Sequence, residues 1–320
     1  MINVAVIGTI FIDCKGFAKQ DYQPLGRNLG DIQFVHGGVA RNVAENLGNL
    51  QLPTSFVSTV DQSAIGKEVM DRLICTGVHT DFVAQIDKCG MGMWLAILNE
   101  QGDLAGSVSQ MPDLACLEKL IKEQGRGIVK STSHIVLELD LNAAITRMVI
   151  QLAKEYHKPV YGIPGNLDVI LKNRDILSDL TCFICNHVEA GRLFGIDFGA
   201  LSMEEMQVEL GAFVKKIGLA NMVVTLGGNG CVYYDLNRQT AGYQTVFPVH
   251  VVDSSGAGDA FFSGTVMGLI KQKSLKEAVI LGTRVAAWTI GTSENTCLDL
   301  SKKIATDDLF CVVVDEAAVS

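Results

Sequence analysis

Short runs of consecutive apolar residues alternate with segments of helical period along most of the chain. The apolar runs lie at residues 4–7, 54–60, 134–139, 160–163, 182–185 and 222–226. Because these runs are continuous, they predict strands that are covered on both faces of a sheet. Apolar residues recur at helical spacing in residues 41–50, 143–156, 203–217 and 259–270. This order predicts an α/β fold with a mostly parallel sheet and helices on both faces.

Two segments interrupt the alternation. Residues 14–36 have no helical period, and residues 91–98 and 104–108 indicate two strands joined by a tight turn that contains Gly102. Both segments predict β insertions outside the main sheet. With 320 residues and no repeat or flexible linker, we expect one α/β domain over residues 1–320. Its lid is expected from insertions at about residues 14–36 and 87–109.

The composition narrows the class of partner. The chain is 48% hydrophobic and 19% charged, as in globular proteins, and its formal net charge is −9. An acidic chain without a basic block argues against a nucleic-acid partner. No apolar run approaches the roughly 20 residues of a membrane span, and the N-terminus lacks the basic region of a signal peptide. We therefore expect no membrane partner and a cytoplasmic location.

The nine cysteines are scattered along the chain. Cys182 and Cys185 form a C-x-x-C pair, which alone would suit a redox motif or half of a zinc site. No second pair and no histidines at ligand spacing accompany them. We therefore predict that both are reduced cysteines in the core.

The motif with the clearest chemistry reads DSSGAGDAFFSG over residues 253–264, after a strand-like stretch at residues 247–252. Gly256, Ala257 and Gly258 let backbone N–H groups approach an anion at a helix N-terminus, where the helix dipole favours negative charge. Asp259 follows, and a carboxylate beside an anion hole suits phosphoryl transfer, since it can accept the proton of an attacking hydroxyl. The alternative is that Asp259 only complements the helix dipole and the glycines only form a turn.

This segment resembles the Asp-Thr-x-Gly-Ala-Gly-Asp-x-Phe signature of the ribokinase-like (PfkB) family of sugar and nucleoside kinases, with Ser254 where Thr is commonest. The chain has no Walker A motif and no GxGxxG after its first strand, which argues against P-loop kinases and dinucleotide-dependent dehydrogenases. The resemblance implies a ribokinase-like three-layer α/β sandwich with a mostly parallel central sheet and a small β lid. It also implies ATP and Mg²⁺ as cofactors.

On the substrate side, the resemblance implies contacts from Asp13, Gly37, Gly38, Asn42 and Asp140. The glycines allow a ligand close to the backbone, and Asn42 offers a hydroxyl both a donor and an acceptor. Glu138 is the alternative candidate for the substrate contact assigned to Asp140. Taken alone, the Gly-Gly pair suits an ordinary helix start and Asp13 suits a turn.

On the nucleotide side, the resemblance implies ATP contacts from Asn186, Thr225, Gly227 and Gly230. Glu189 would orient magnesium through water, although Asn186 and Glu189 also match a capping box, and both interpretations can hold together. Asp253 and Ser255 are candidates for part of a monovalent cation site that would take K⁺. Residues 291–296 would lie near the adenine.

The expected reaction transfers the γ-phosphoryl group of ATP to a primary hydroxyl of a sugar or nucleoside, with Asp259 as general base. Residues 37–47 resemble the pseudouridine-kinase branch more than the typical ribokinase, while ribose and fructose stay open. Trp94 suits stacking on a base, closing a sugar pocket or simple packing. The alternatives are a non-catalytic binding sensor that retains the fold and an oxidoreductase. The exposed face and edges of a β lid predict a homodimer.

Overall fold

The computed structural model describes residues 2–139, 141–165 and 167–310. The strands are β1 (Val4–Ile7), β2 (Phe11–Ala18), β3 (Gly30–Gly37), β4 (Thr54–Asp61), β5 (Val78–Ile86), β6 (Gly92–Leu98), β7 (Leu104–Gln110), β8 (His134–Glu138), β9 (Val160–Ile163), β10 (Cys182–Asn186), β11 (Asn221–Thr225), β12 (Cys231–Asp235) and β13 (Thr240–Gln244). The helices are α1 (Val39–Asn49), α2 (Ala64–Cys75), α3 (Ala115–Ser131), α4 (Ala143–Glu155), α5 (Asp168–Lys172), α6 (His187–Phe194), α7 (Met203–Ile217), α8 (Ala257–Ile270), α9 (Leu275–Ile290) and α10 (Leu300–Ile304).

The large sheet has nine strands in the order β13-β12-β11-β10-β9-β8-β1-β4-β5. From β11 to β5 all neighbours pair in parallel, and β12 and β13 extend the sheet antiparallel at one edge. The six predicted strands are confirmed: β1 and β9 have the predicted bounds, β4, β8 and β10 differ by one residue at one end, and β11 is shifted by one residue. The predicted α/β class is therefore correct.

Helices cover both faces of the large sheet, as the continuous apolar strands predict. Consecutive residues of β1 divide between two apolar clusters, because side chains alternate across a strand. Val4 and Val6 pack with the helices α1, α2, α8 and α9 on one face. Ala5 and Ile7 pack with the helices α3, α4, α6 and α7 on the other face. The result is a three-layer sandwich.

The small sheet has the order β3-β2-β6-β7 and draws strands from both segments that interrupt the alternation. Its first strand begins at Phe11, three residues before the expected insertion. β2 pairs antiparallel with β3 and parallel with β6, so that Asp13 lies beside Val35 on one side and Trp94 on the other. The turn from β6 to β7 is closed by Gly102, which has a φ of 86°. Asp13 and Trp94 therefore share one face of the lid sheet.

The stretch at residues 247–252 was expected to be strand-like, and this prediction is wrong. No strand of the described chain includes it, and Val249, Val251 and Val252 are exposed. Its backbone is tied to a helix instead, since the N–H of Val252 donates to the carbonyl of Ile290. An apolar run with no strand beside it stays irregular because its backbone has no ladder partner.

Two further sequence inferences concern the core and the membrane. Cys182 and Cys185 are buried cysteines on β10, as predicted. Within the described ranges, no helix combines the length and apolar character that a bilayer span requires.

Candidate active site

The loop before α1 brings the lid strand β2 close to the helix start. Gly38 has a φ of 95°, and a Cβ there would lie 2.7 Å from the Phe11 nitrogen. At Gly37 a Cβ would lie 2.8 Å from both carboxylate oxygens of Asp13. Gly38 must be glycine, because the near atoms are backbone and its φ is positive, while the missing side chain at Gly37 leaves room for the Asp13 carboxylate beside the N-terminus of α1.

Asp13 is held by a residue from the far end of the chain. The Nδ2 of Asn295 donates to Asp13 Oδ2 at 3.2 Å and to the carbonyl of His36 at 3.0 Å. Burial raises the pKa of Asp13, although the Asn295 hydrogen bond and the nearby Lys15 and Arg41 charges oppose the rise. Sequence reasoning placed Asn295 only in a segment near the adenine, since no local motif reveals a partner 282 residues away.

Asp259 lies in the first turn of α8, behind a tight turn at Gly256. Gly256 has a φ of 74°, and a Cβ there would collide with the carbonyl oxygen of Asn295. The Nδ2 of Asn42 donates to Asp259 Oδ2 at 2.7 Å. Burial raises the pKa of Asp259 to about 7; the Asn42 hydrogen bond and the Arg41 charge oppose this, and the Asp13 charge adds to it. The site thus contains a carboxyl group that titrates near neutral pH.

The buried side chain of Arg41 orients the side chain of Asn42 through a hydrogen bond. Its guanidinium is fully buried, and Nη2 donates to Asn42 Oδ1 and to the carbonyl of His36. The Nε atom donates to the carbonyl of Gly37 at 3.2 Å. Because Asn42 Oδ1 is occupied in this way, its Nδ2 is the atom that faces Asp259.

A second arginine completes the charge balance around Glu45. The buried carboxylate of Glu45 accepts from Arg41 Nη1 at 2.5 Å and from Arg72 Nη2 at 2.9 Å. Arg72 also contacts Glu294 Oε2 and Thr296 Oγ1, both at 2.9 Å. Burial alone would raise the pKa of Glu45, but the Arg41 and Arg72 charges outweigh it and lower the pKa. This network, which the sequence did not reveal, joins α1, α2 and residues 294–296.

Glu138 has a structural role. Its Oε2 accepts the Thr9 N–H at 2.7 Å and the Ala40 N–H at 3.4 Å, and its Oε1 accepts the Thr9 hydroxyl at 2.9 Å. The side chain is buried and holds the loop after β1 against the start of α1. Asp140, with which Glu138 competed as a substrate contact, lies outside the described residues.

The expected nucleotide-side residues meet at the carboxyl ends of β10 and β11. Asn186 and Thr225 are direct neighbours in the parallel pair. Asn186 caps α6 in a complete capping box with Glu189, as one of the two interpretations predicted. Burial raises the pKa of Glu189 despite its hydrogen bond from the Asn186 N–H.

The turn between β11 and β12 requires glycine at two positions. Gly227 and Gly230 have φ values of 57° and 83°. A Cβ on Gly230 would collide with the carbonyl oxygen of Gln244. The turn therefore keeps its backbone free of side chains at the end of the sheet.

The loop before α8 contacts the lid. Lys15 on β2 places Nζ at 3.4 Å from Asp253 Oδ2 and at 3.2 Å from Ser255 Oγ. The N–H of Ser255 donates to Asp253 Oδ1 at 2.8 Å. Across residues 2–139, 141–165 and 167–310, no group of three or more His, Cys, Asp or Glu side chains is placed to hold a metal ion. Sequence reasoning missed Lys15, since nothing local links it to residues 253–255.

The small lid sheet, the glycine turn before α8 and the Asp259 carboxyl accompany a match to a known family. The sequence profile of the pfkB family carbohydrate kinases matches residues 1–301. The chain belongs to this family. It is a sugar or nucleoside kinase, a phosphotransferase with an alcohol group as acceptor, and the family resemblance is confirmed.

Curated relatives and solved structures agree with this assignment. The kinase is 38% identical over 295 residues to a guanosine-inosine kinase of Exiguobacterium acetylicum, covering 92% of this chain and 96% of the relative. It is 25% identical over 299 residues to a pseudouridine kinase of Escherichia coli, covering 93% of each. An Arabidopsis thaliana ribokinase solved with ribose and ATP superposes with a TM-score of 0.78 at 21% identity, covering 94% of this chain and 98% of that one. The predicted ribokinase-like fold is confirmed.

We expect Glu45→Gln to lower the free energy of unfolding of this kinase by about 3–5 kcal/mol, because it leaves the buried Arg41 guanidinium without its counter-charge. Urea denaturation measures the change. The matched control is Glu123→Gln, whose exposed carboxylate lies 3.9 Å from Lys119 and should contribute less than about 1 kcal/mol. Equal effects of the two substitutions would contradict the role given to the buried network.

Proposed function

We propose that this kinase transfers the γ-phosphoryl group of ATP to the primary hydroxyl of a purine nucleoside of the guanosine and inosine type. The observation that carries the proposal is the pairing of Asp13 with Trp94 across β2 and β6. It sets a carboxylate suited to ribose hydroxyls beside a ring suited to stacking on a base. The similarity to a guanosine-inosine kinase supports the purine.

In this proposal Asp259 is the general base. Its carboxylate takes the proton of the primary hydroxyl as that oxygen attacks the γ-phosphorus, and ADP leaves. The backbone amides of Gly256, Ala257 and Gly258 stabilise the charge on the transferring phosphoryl group at the N-terminus of α8. Asn42 keeps Asp259 aimed into the site through its 2.7 Å hydrogen bond.

The acceptor is held on the lid side. Asp13 accepts hydrogen bonds from the ribose hydroxyls, and the second N–H of Asn42 Nδ2 is a donor nearby. Gly37 and Gly38 let the sugar approach the backbone, and Asp140 is a further proposed contact. Closure of the lid over these groups excludes water and so limits hydrolysis of ATP.

Asn186, Thr225, Gly227 and Gly230 are the proposed ATP contacts, supported by their position at the carboxyl ends of β10 and β11. Glu189 fits an indirect role toward magnesium, since burial raises its pKa and a nearby cation would offset that cost. Magnesium, when bound, supplies positive charge to the phosphates. We propose the cytoplasm as the compartment, because it supplies ATP.

Potassium fits less well. The side chains of Asp253 and Ser255 both contact the Lys15 ammonium, which already supplies a positive charge at that position. Two cations at one carboxylate would repel each other. The proposed mechanism therefore uses no monovalent metal ion.

A panel of acceptors tests the proposed activity. With ATP and magnesium, we expect ADP formation with guanosine and inosine at a kcat/KM at least tenfold above that with pseudouridine, uridine, ribose or fructose. Asp259→Asn should lower kcat by orders of magnitude and leave ATP binding largely intact, because only the base is removed. Binding without ADP formation by the wild type would indicate a sensor, and a preference for ribose would contradict the nucleoside.

The pH dependence tests the base directly. Since burial raises the pKa of Asp259 to about 7 and the base acts when deprotonated, kcat/KM should rise with pH through a midpoint near pH 7 and then level off. Asp13→Asn should move the midpoint down, because it removes a negative charge that raises the pKa. Asn42→Leu should move it up, because it removes a hydrogen bond that lowers the pKa. Shifts in the same direction would contradict this assignment.

We also propose that two copies pair through the lid. Phe34, Leu95 and Val108 follow one another across β3, β6 and β7, with Cys14 of β2 between the first two. The first three are 59%, 40% and 66% exposed. They lie on the sheet face opposite Asp13 and Trp94, because side chains alternate along each strand. An apolar sheet face with open edges is the kind of surface that a second copy covers.

We expect the wild-type kinase to sediment as a dimer at micromolar concentration and Phe34→Asp to sediment as a monomer, because the buried charge would oppose pairing. Analytical ultracentrifugation distinguishes the two. Val208→Asp is the matched control, since Val208 is 69% exposed on α7, outside the lid. A monomeric wild type, or a dimeric Phe34→Asp variant, would rule out the lid as the interface.

A further inference from the structure

Lys15 is a buried charged residue on the lid strand β2. It is two residues after Asp13 on β2, so both side chains project from the same face of the strand. Only 8% of Lys15 is exposed. Burial of an ammonium is costly unless it is paired, and here Asp253 and Ser255 provide the partners.

The partners place this ammonium at the anion hole. Ser255 directly precedes Gly256, and the backbone of residues 256–258 opens α8. An ammonium has three N–H donors. Asp253 and Ser255 accept from two of them, and the part of the chain that the structure describes provides no third acceptor. One donor is therefore open to an oxygen that enters the loop.

The negative charge of the aspartates around the loop has to be offset by a positively charged donor before a phosphoryl group can bind there. Asp13 lies near enough to Asp259 to raise its pKa, Asp253 precedes the same loop, and a transferring phosphoryl group would add further negative charge. Backbone amides and a helix N-terminus supply only partial positive charge. The buried Arg41 guanidinium is already committed to Glu45, Asn42 and the carbonyl of His36. Lys15 brings a full positive charge into contact with the loop.

We infer that Lys15 is a catalytic residue whose ammonium donates a hydrogen bond to an oxygen of the transferring phosphoryl group; the inference rests on the proposed kinase function. The acceptor oxygen bonds to the γ-phosphorus, and the bond from that phosphorus to the bridging oxygen of ADP breaks. The proton of the acceptor hydroxyl goes to Asp259, and Lys15 keeps its own proton throughout.

The strand explains how one element serves both reactants. Two residues along a strand span about 6.6 Å, so β2 presents Asp13 to the acceptor hydroxyls and Lys15 to the phosphoryl group from a single rigid face. Because β2 belongs to the lid sheet, the strand that carries Asp13 also brings the Lys15 ammonium to the loop before α8.

Kinetics of Lys15→Met provide the first test. We expect kcat to fall about 10²–10³-fold, the usual cost of removing one donor to a developing charge, while KM for the acceptor stays within threefold. The kcat of Lys15→Arg should be at least tenfold higher than that of Lys15→Met, since arginine keeps the positive charge. The matched control is Lys19→Met, which removes a lid lysine whose exposed ammonium pairs with Asp31 at 2.8 Å and should leave kcat unchanged.

Binding of a phosphoryl mimic provides the second test and needs no turnover. By calorimetry, Lys15→Met should bind MgADP as the wild type does but bind MgADP with aluminium fluoride at least tenfold more weakly. A kcat within threefold of wild type, or equal losses for both ligands, would overturn the inference. If the wild type phosphorylates no acceptor, the proposed function fails, and the fluoride comparison still decides the role of Lys15.

Discussion

The hydrogen bond from Asn42 to Asp259 is the interaction on which the rest of the site depends. It is 2.7 Å long and joins residues 217 positions apart, one at the start of α1 and the other at the start of α8. The Asn42 amide donates this hydrogen bond and does not transfer its proton at physiological pH, so the contact orients the Asp259 carboxylate and leaves it able to accept a proton. Burial raises the pKa of Asp259 to about 7, close to the value that suits a general base at neutral pH.

That contact is supported by buried charges whose removal would be costly. Arg41 fixes the amide of Asn42, Glu45 balances Arg41, and Arg72 links Glu45 to Glu294. A buried ion network of this kind adds little net stability compared with apolar packing. Removing one partner is strongly destabilising, because it leaves a buried charge unpaired. We interpret the network as a device that sets geometry. It holds α1, α2 and residues 294–296 in one arrangement.

The sequence predicted the parts of this protein that depend on local pattern. The six strands follow from continuous apolar runs, and the short motifs around Asn42 and Asp259 name two residues that the fold brings into contact. The buried partners did not follow, because Asn295, Arg72 and Lys15 act across long sequence separations and belong to no motif. The strand prediction for the exposed residues 247–252 was wrong for a related reason. Their apolar composition is local, but a strand needs a neighbour, and the fold provides none there.

The central claim is that Asp259 is a desolvated carboxyl held at a near-neutral pKa by Asn42, Arg41 and Asp13. The most direct test is a ¹³C NMR titration of the aspartate side-chain carboxyl signals in the free kinase, with Asp259→Asn used to assign the Asp259 signal. The account predicts that this signal titrates with a midpoint of about 7. A midpoint close to the ordinary value of about 3.9 for an aspartate would contradict it.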